Sequence, residues 1–288
     1  MYAITGITGQ VGGAMAQALL DAGQSVRAVV RSAHKGASWA AKGCDVAIAT
    51  MEDADALAKA FTGAEGVFVL PPNEFDPSPG FPEARAVISA VSQALNAARP
   101  ARIVCLSTIG AQARQPNLLS QRTLMEDELS ALPIPVTFLR PAWFMENFAW
   151  DVAAARETGV IGSFLQPLDK RFPMIATVDI GRLAAKLIQE KWQGRRIVEL
   201  EAERRYSPND VAAAFESLLG RPVRAEAIPR EIWGALFKSQ GMKDPVPRMQ
   251  MLDGFNEGWI RFEGQPLSIE KGQTDLTTVL AGLIASTR

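Results

Sequence analysis

Short, largely apolar runs alternate with stretches of helical spacing through the first half of the chain. Tyr2, Ala3 and Ile4 form the first run and Val26 to Val30 the second, with an uninterrupted helical stretch from Ala14 to Leu20 between them. Runs this short and this apolar suit strands buried on both faces, as in a parallel sheet whose crossovers are helices. Beyond Arg31 the pattern predicts a short helix from Gly36 to Ala41 and a strand from Asp45 to Ala49. Glu52 and Asp53 open a helix reaching Phe61, their charges matching its positive end. Phe68, Val69 and Leu70 end the next strand, and from Pro82 to Ala98 the positions Ala84, Val87, Ile88, Val91 and Leu95 make an apolar stripe of helical spacing. A strand from Arg102 to Leu106, a helix from Leu119 to Leu129 and a strand from Val136 to Leu139 continue the alternation.

From about Val160 the alternation is less regular. Met174 to Val178 read as a strand, Asp179 as the cap of a helix running to Lys191, and Ile197 to Leu200 as a further strand. Ser207 and Pro208, with Asp210 three residues after the cap, spell a helix start. Pro222 to Ile228 look extended, Pro229 to Gln240 and Val246 to Phe255 read as helices, and Leu276 to Ile284 as a closing helix. Together the elements predict an α/β, Rossmann-like doubly wound parallel sheet over residues 1–155. A smaller mixed α/β substrate lobe is expected over 156–288, with some segments returning to the main sheet and with Trp233 and Trp259 as packing residues.

The first crossover carries a candidate ligand site. Gly6, Gly9 and Gly12 fall in the pattern GxxGxxG between a strand and a helix. Gly6 allows the turn out of the strand, Gly9 lets the backbone approach a pyrophosphate, and Gly12 lets the helix pack close to the sheet. The helix start through Thr8, Gln10 and Val11 then offers unpaired N–H groups and the positive dipole end to an anion. The expected ligand is a dinucleotide.

The second strand runs into Arg31, with Lys35 four residues on, where NAD sites usually place an acid for the ribose hydroxyl. Two cations there suit a 2'-phosphate and favour NADPH over NADH. Arg31 stacked on an adenine, or a plain solvated loop, are the alternatives. Met51 and Glu52 fall where the adenine edge would lie. Leu70, Pro71 and Pro72 end the fourth strand at the edge where ligands bind in such sheets, so the loop through Asn73 and Phe75 is either a wall beside the nicotinamide and substrate or a simple connector. Ser107 and Thr108 close the fifth strand within reach of a nicotinamide ribose and a substrate carbonyl. Trp143 and Phe144, with Asn147 after them, follow the sixth and either line a slot for a flat apolar substrate or form a satellite core.

Composition removes several classes of function. The 288 residues carry a net charge of −1 with Lys and Arg dispersed, which gives nucleic acid no basic surface. No apolar stretch reaches membrane-spanning length and the start lacks a signal-peptide pattern, so a soluble cytoplasmic protein, monomeric or homodimeric, is expected. One histidine, His34, and two cysteines, Cys44 and Cys105, leave no metal site to expect and no ordinary nucleophile–histidine pair.

Several segments together resemble the NmrA-like group of atypical short-chain dehydrogenases/reductases, and most of all its NAD(P)H:quinone oxidoreductase branch. They are TGITGQVGG from Thr5, VVR from Val29, STIGA from Ser107, MEDEL from Met125, LRPAWFMENF from Leu139, MIATVDIGRLAA from Met174 and LGRPV from Leu219, which span nearly the whole chain. The resemblance implies a dinucleotide along the C-terminal sheet edge, with Gly6, Gly9 and Gly12 at the pyrophosphate, Arg31 near the 2'-phosphate, Pro71 and Pro72 beside the nicotinamide and Asn147 on the substrate side. The chain departs from typical short-chain dehydrogenases in lacking their Tyr-x-x-x-Lys pair: it has only Tyr2 and Tyr206, and no lysine between Lys59 and Lys170. A quinone is electron-poor enough to accept hydride without that relay, given close stacking, excluded water and at most one donor such as Ser107, Thr108 or Asn147. Two readings follow: an NADPH-dependent reductase of quinones or similar flat electrophiles, and a non-catalytic dinucleotide sensor acting through a protein partner.

Overall fold

The computed structural model describes residues 1–287. Its first half alternates β1 (Tyr2–Ile4), α1 (Gln10–Asp21), β2 (Val26–Val30), α2 (Ala33–Ala40), β3 (Asp45–Ile48), α3 (Ala54–Phe61), β4 (Gly66–Val69), α4 (Pro82–Ala98), β5 (Arg102–Leu106), α5 (Ser120–Ser130) and β6 (Val136–Pro141). The second half adds β7 (Trp143–Phe144), a 3-10 turn (Met145–Asp151), α6 (Val152–Glu157), β8 (Val160–Ser163), β9 (Met174–Ile175), α7 (Thr177–Gln189) and β10 (Arg195–Ala202). It closes with α8 (Pro208–Leu219), β11 (Arg224–Ala227), α9 (Trp233–Ser239), α10 (Val246–Glu257), β12 (Glu270–Gly272) and α11 (Leu276–Ser286).

Eight strands form one parallel sheet in the order β12-β10-β6-β5-β4-β1-β2-β3. The winding reverses between β1 and β4, which opens a crevice at their C-terminal ends. Helices α1, α2 and α7 bury one face of the sheet, and α3, α4 and α5 bury the other. A Cβ on Gly181 of α7 would fall 2.6 Å from the Ala14 Cβ and 2.7 Å from the Met15 nitrogen, so α1 and α7 meet backbone to backbone. The remaining elements pack over the sheet edge around Phe215, Phe172 and Ile161, with Trp233, Phe237 and Leu252 as a separate cluster. Among the described residues no helix is long and apolar enough to cross a membrane.

The Rossmann-like alternation expected from the sequence is present, and the Ser207–Asp210 capping box forms at the start of α8. The expected strand from Met174 to Val178 is corrected to Met174–Ile175, and Asp179 is not a cap. Helix α7 starts earlier because Glu146, distant in sequence, accepts hydrogen bonds from the Thr177 N–H at 2.8 Å and its hydroxyl at 2.6 Å. Buried Asp179 instead accepts from the Thr274 N–H at 2.7 Å. The helix expected from Pro229 begins as a 3-10 turn (Arg230–Ile232) before α9. The short strands β7, β8 and β12 have too few residues to show a period.

Candidate active site

The chain leaves β1 through Gly6, whose φ of +64° is the left-handed conformation that glycine tolerates best. A Cβ on Gly12 would lie 2.3 Å from the Gly6 carbonyl oxygen, so that glycine lets α1 press against the turn. Gly9 differs: it is exposed, its φ of −91° suits any residue, and a Cβ there would meet only the Gly6 oxygen at 3.4 Å. Nothing internal requires a glycine at position 9, whereas a ligand approaching its backbone would. Helix α1 has no capping side chain and no acid in its first turn, so its N–H groups and dipole face outward beside exposed Thr8, Gly9 and Gln10. Buried Thr5 fixes the adjoining wall, its hydroxyl donating to the Phe68 carbonyl at 3.1 Å and accepting from the Leu70 N–H at 2.8 Å.

At the ends of β2 and β3, Arg31, Lys35 and Glu52 are exposed and Met51 is half-buried. Neither cation is in an ion pair among the described residues. Ser32, at the N-cap of α2, leaves its hydroxyl unused, and the first turn of α2 has no acid. These groups share the sheet edge with the glycine turn but lie outside the walls of the adjoining cleft.

That cleft, of about 830 Å³, starts at Gly6, Thr8, Gly9, Gln10 and Val11, passes Leu70, Ser107 and Thr108, and reaches Trp143, Phe144 and Asn147. Asn73 and Phe75 line it from the loop after β4, and Phe164, Leu236, Met251 and Phe255 from the lobe. Gly12 lies buried behind the turn, and Pro71 and Pro72 are absent from the walls. Instead the Pro71 and Pro72 carbonyls accept hydrogen bonds from Arg122 Nη2 at 3.1 and 3.4 Å, and Asn73 Oδ1 accepts from the same nitrogen. Burial pushes this guanidinium down to about 10. The far end of the loop is tied as well, because the Asp76 carboxylate accepts from the Lys243 and Asp244 N–H groups at 2.8 and 2.9 Å, which hold its pKa below the usual range.

Ser107 occupies the strand exit expected of it, but its hydroxyl donates to Glu126 Oε1 and so has no proton to offer a substrate oxygen. Glu126 in turn takes two bonds from Arg140, Nε at 2.8 Å and Nη2 at 2.6 Å, and Arg140 also donates to Gln112 and Glu263. Thr108 and Asn147 have no side-chain partner among the described residues, which leaves both free to meet a ligand.

Among the described residues, two polar atoms in the cleft lining are buried without partners: Trp143 Nε1 and Glu146 Oε2. The Trp143 ring stands edge-on to Phe255, centroids 5.3 Å apart. A buried donor left unpaired costs about 1–3 kcal/mol, which a bound oxygen would relieve. Trp143→Phe, which keeps a ring and deletes the N–H, is expected to leave urea stability unchanged within about 1 kcal/mol while raising the KM for a carbonyl acceptor. An unchanged KM would exclude a bond from that nitrogen to the acceptor.

Sequence reasoning did not find Arg122, Glu146, Asp151 or Arg248, all of which line the cleft. Their only common signal is charge, and partners far along the chain give Arg122 and Glu146 their setting. Arg248 stacks on Phe237 at 4.4 Å with Trp150 at 5.9 Å, and burial lowers its pKa. Cys105 is inert, its thiol pushed up to about 12 by burial.

A family model described as NmrA-like matches residues 2–257. Quinone oxidoreductase 2 of Escherichia coli (strain K12) is 28% identical over 252 residues, covering 86% of this chain and 85% of that one. The NAD(P)H azoreductase of Xenophilus azovorans is 26% identical over 260 residues, covering 89% and 85%. The structure of the E. coli NADPH-dependent quinone oxidoreductase QOR2 with NADPH superposes with a TM-score of 0.81 at 25% identity, over 99% of both chains. The Citrobacter sp. triphenylmethane reductase shares the fold at a TM-score of 0.80 and 20% identity, over 99% of both chains.

Proposed function

Because the chain belongs to the NmrA-like family, we propose that it is an NADPH-dependent oxidoreductase which reduces quinones or similar flat electrophiles by direct hydride transfer. The observation that carries this reading is the continuity of the cleft, from the uncapped start of α1 past Leu70, Ser107 and Thr108 to the aromatic residues after β6. The names of the relatives, a quinone oxidoreductase and an azoreductase, support an acceptor of that class.

The reduced nicotinamide supplies the hydride when the coenzyme is bound. The chain's residues position and shield it. The α1 N–H groups take the pyrophosphate, with Gly9 allowing close approach and Gly6 and Leu70 forming the adjoining wall. Trp143 and Phe144 flank a planar acceptor and keep water from its reacting face, while Thr108 and Asn147 offer hydrogen bonds to its oxygens. An open space beyond the coenzyme end favours turnover over a purely sensing role, for which a closed face would suffice.

Loss of NADPH absorbance in stopped flow across a panel of quinones tests the proposal, and no rate above the uncatalysed reaction on any of them would defeat it. The unpaired cations Arg31 and Lys35, the free Ser32 hydroxyl and the acid-free start of α2 support NADPH over NADH. Arg31→Ala is expected to weaken NADPH binding by about 1.5–3 kcal/mol while scarcely changing NADH binding. Calorimetry with both coenzymes reads this directly, and an equal loss for the two would place Arg31 away from the 2'-phosphate.

A further inference from the structure

We propose that Asp151 is the proton donor of this cleft, passing its carboxyl proton to the acceptor as hydride arrives; the proposal rests on the reductase reading above. Asp151 ends the 3-10 turn after β7 and lines the same cleft as Ser107, Phe144 and Asn147. It stands at the N-cap of α6, where a carboxylate normally accepts from the helix, yet it makes no such bond. Its carboxyl also has no hydrogen bond or ion pair with any described residue. Such a group is spared from structural duty and available to a ligand.

The other acid lining the cleft, Glu146, accepts twice from Thr177 through Oε1, which fixes its carboxylate at the start of α7, while its Oε2 has no partner among the described residues. The two tyrosines are committed elsewhere, Tyr2 buried in β1 and Tyr206 with its hydroxyl oxygen accepting from the Leu276 N–H. The charged groups around Asp151 are Glu146 on its own turn, Arg156 and Glu157 on α6, and Arg122 on α5 and Arg248 on α10, which share the cleft; α11 carries none. Burial alone, with no charge contributing, pushes the Asp151 carboxyl up to about 7, where a donor both holds its proton and releases it readily.

Reduction of a quinone consumes one hydride and one proton. The hydride comes from NADPH, which is oxidised; the Asp151 O–H bond breaks as a bond to the developing quinone oxyanion forms; and the carboxylate recovers a proton from water after product leaves. The role is that of a general acid, worth about 10²–10⁴-fold in rate.

Asp151→Asn tests the proposal in two ways. A carboxyl whose folded pKa is raised gives stability that is present below the unfolded pKa and lost as pH climbs through the folded one. The variant should therefore outlast the wild type in thermal melts by a margin that opens above about pH 4 and levels off beyond about pH 7. A margin independent of pH would mean that the carboxyl is solvated, and would overturn the proposal. In turnover, the wild-type kcat/KM for a quinone should fall above about pH 7, and Asp151→Asn should lose that limb and run about 100-fold slower at low pH with NADPH affinity unchanged. If the wild type turns over and the variant keeps the same limb, Asp151 is not the donor while the reductase reading stands. If the wild type reduces no quinone, the reductase reading fails and the donor role falls with it.

Discussion

Arg140→Met should lower the unfolding free energy by about 3–5 kcal/mol. Arg140 is 3% exposed and closes a fork on Glu126, with contacts to Gln112 and Glu263 completing its donors. Methionine fills a similar volume, so the loss would come from leaving Glu126 buried and uncompensated rather than from a cavity. The double variant Arg140→Met with Glu126→Leu should then recover most of the loss, because replacing a whole buried pair by apolar residues is often neutral. Urea unfolding of both variants decides the matter, and a single-variant loss below about 1 kcal/mol would mean that water already screens the pair. The Ser107 hydroxyl hangs on the same carboxylate, so activity should drop in the single variant even at temperatures where it stays folded.

Gly9→Ala should weaken NADPH binding about 100-fold, close to 2.7 kcal/mol, with the fold intact. The new methyl meets only the Gly6 oxygen at 3.4 Å and the backbone already suits alanine, so stability should hold or rise by about 0.4–1 kcal/mol. Gly12→Ala makes the contrast. Its methyl would sit 2.3 Å from the Gly6 oxygen, which forces the turn away from α1 and costs about 1–3 kcal/mol of stability together with the binding. Calorimetry and urea unfolding on the two variants separate a glycine kept for a ligand from one kept for packing. An unchanged NADPH affinity in Gly9→Ala would remove the pyrophosphate from this turn.

The sheet was legible in the first half of the chain because most strands there are short, largely apolar and buried, β3 at the sheet edge being the exposed exception, and helical stripes mark the crossovers between them. Val87, Ile88, Val91 and Leu95, for example, are all buried in α4, whose bounds match the stripe. The lobe was less legible for a physical reason. Its strands pair two by two, β8 with β11 and β7 with β9, and the start of α7 depends on Glu146, which no local pattern connects to Thr177. The β-branched residues near Ile175 read as strand until that distant cap is known. At the site, the glycine turn is a local device and could be read from spacing alone. The acceptor side is assembled by contacts across the fold, so the commitment of Ser107 to Glu126, the grip of Arg122 on Pro71 and the freedom of Asp151 had no signature in the sequence.

The clasp between Asp76 and the Lys243–Asp244 backbone has a consequence for protein engineering. A loop grafted from a relative would arrive without its anchor unless the segment preceding α10 were transplanted beside it. Library designs that vary residues 71–77 and 240–246 as one linked cassette should therefore yield more folded, active members than designs that randomise either stretch alone.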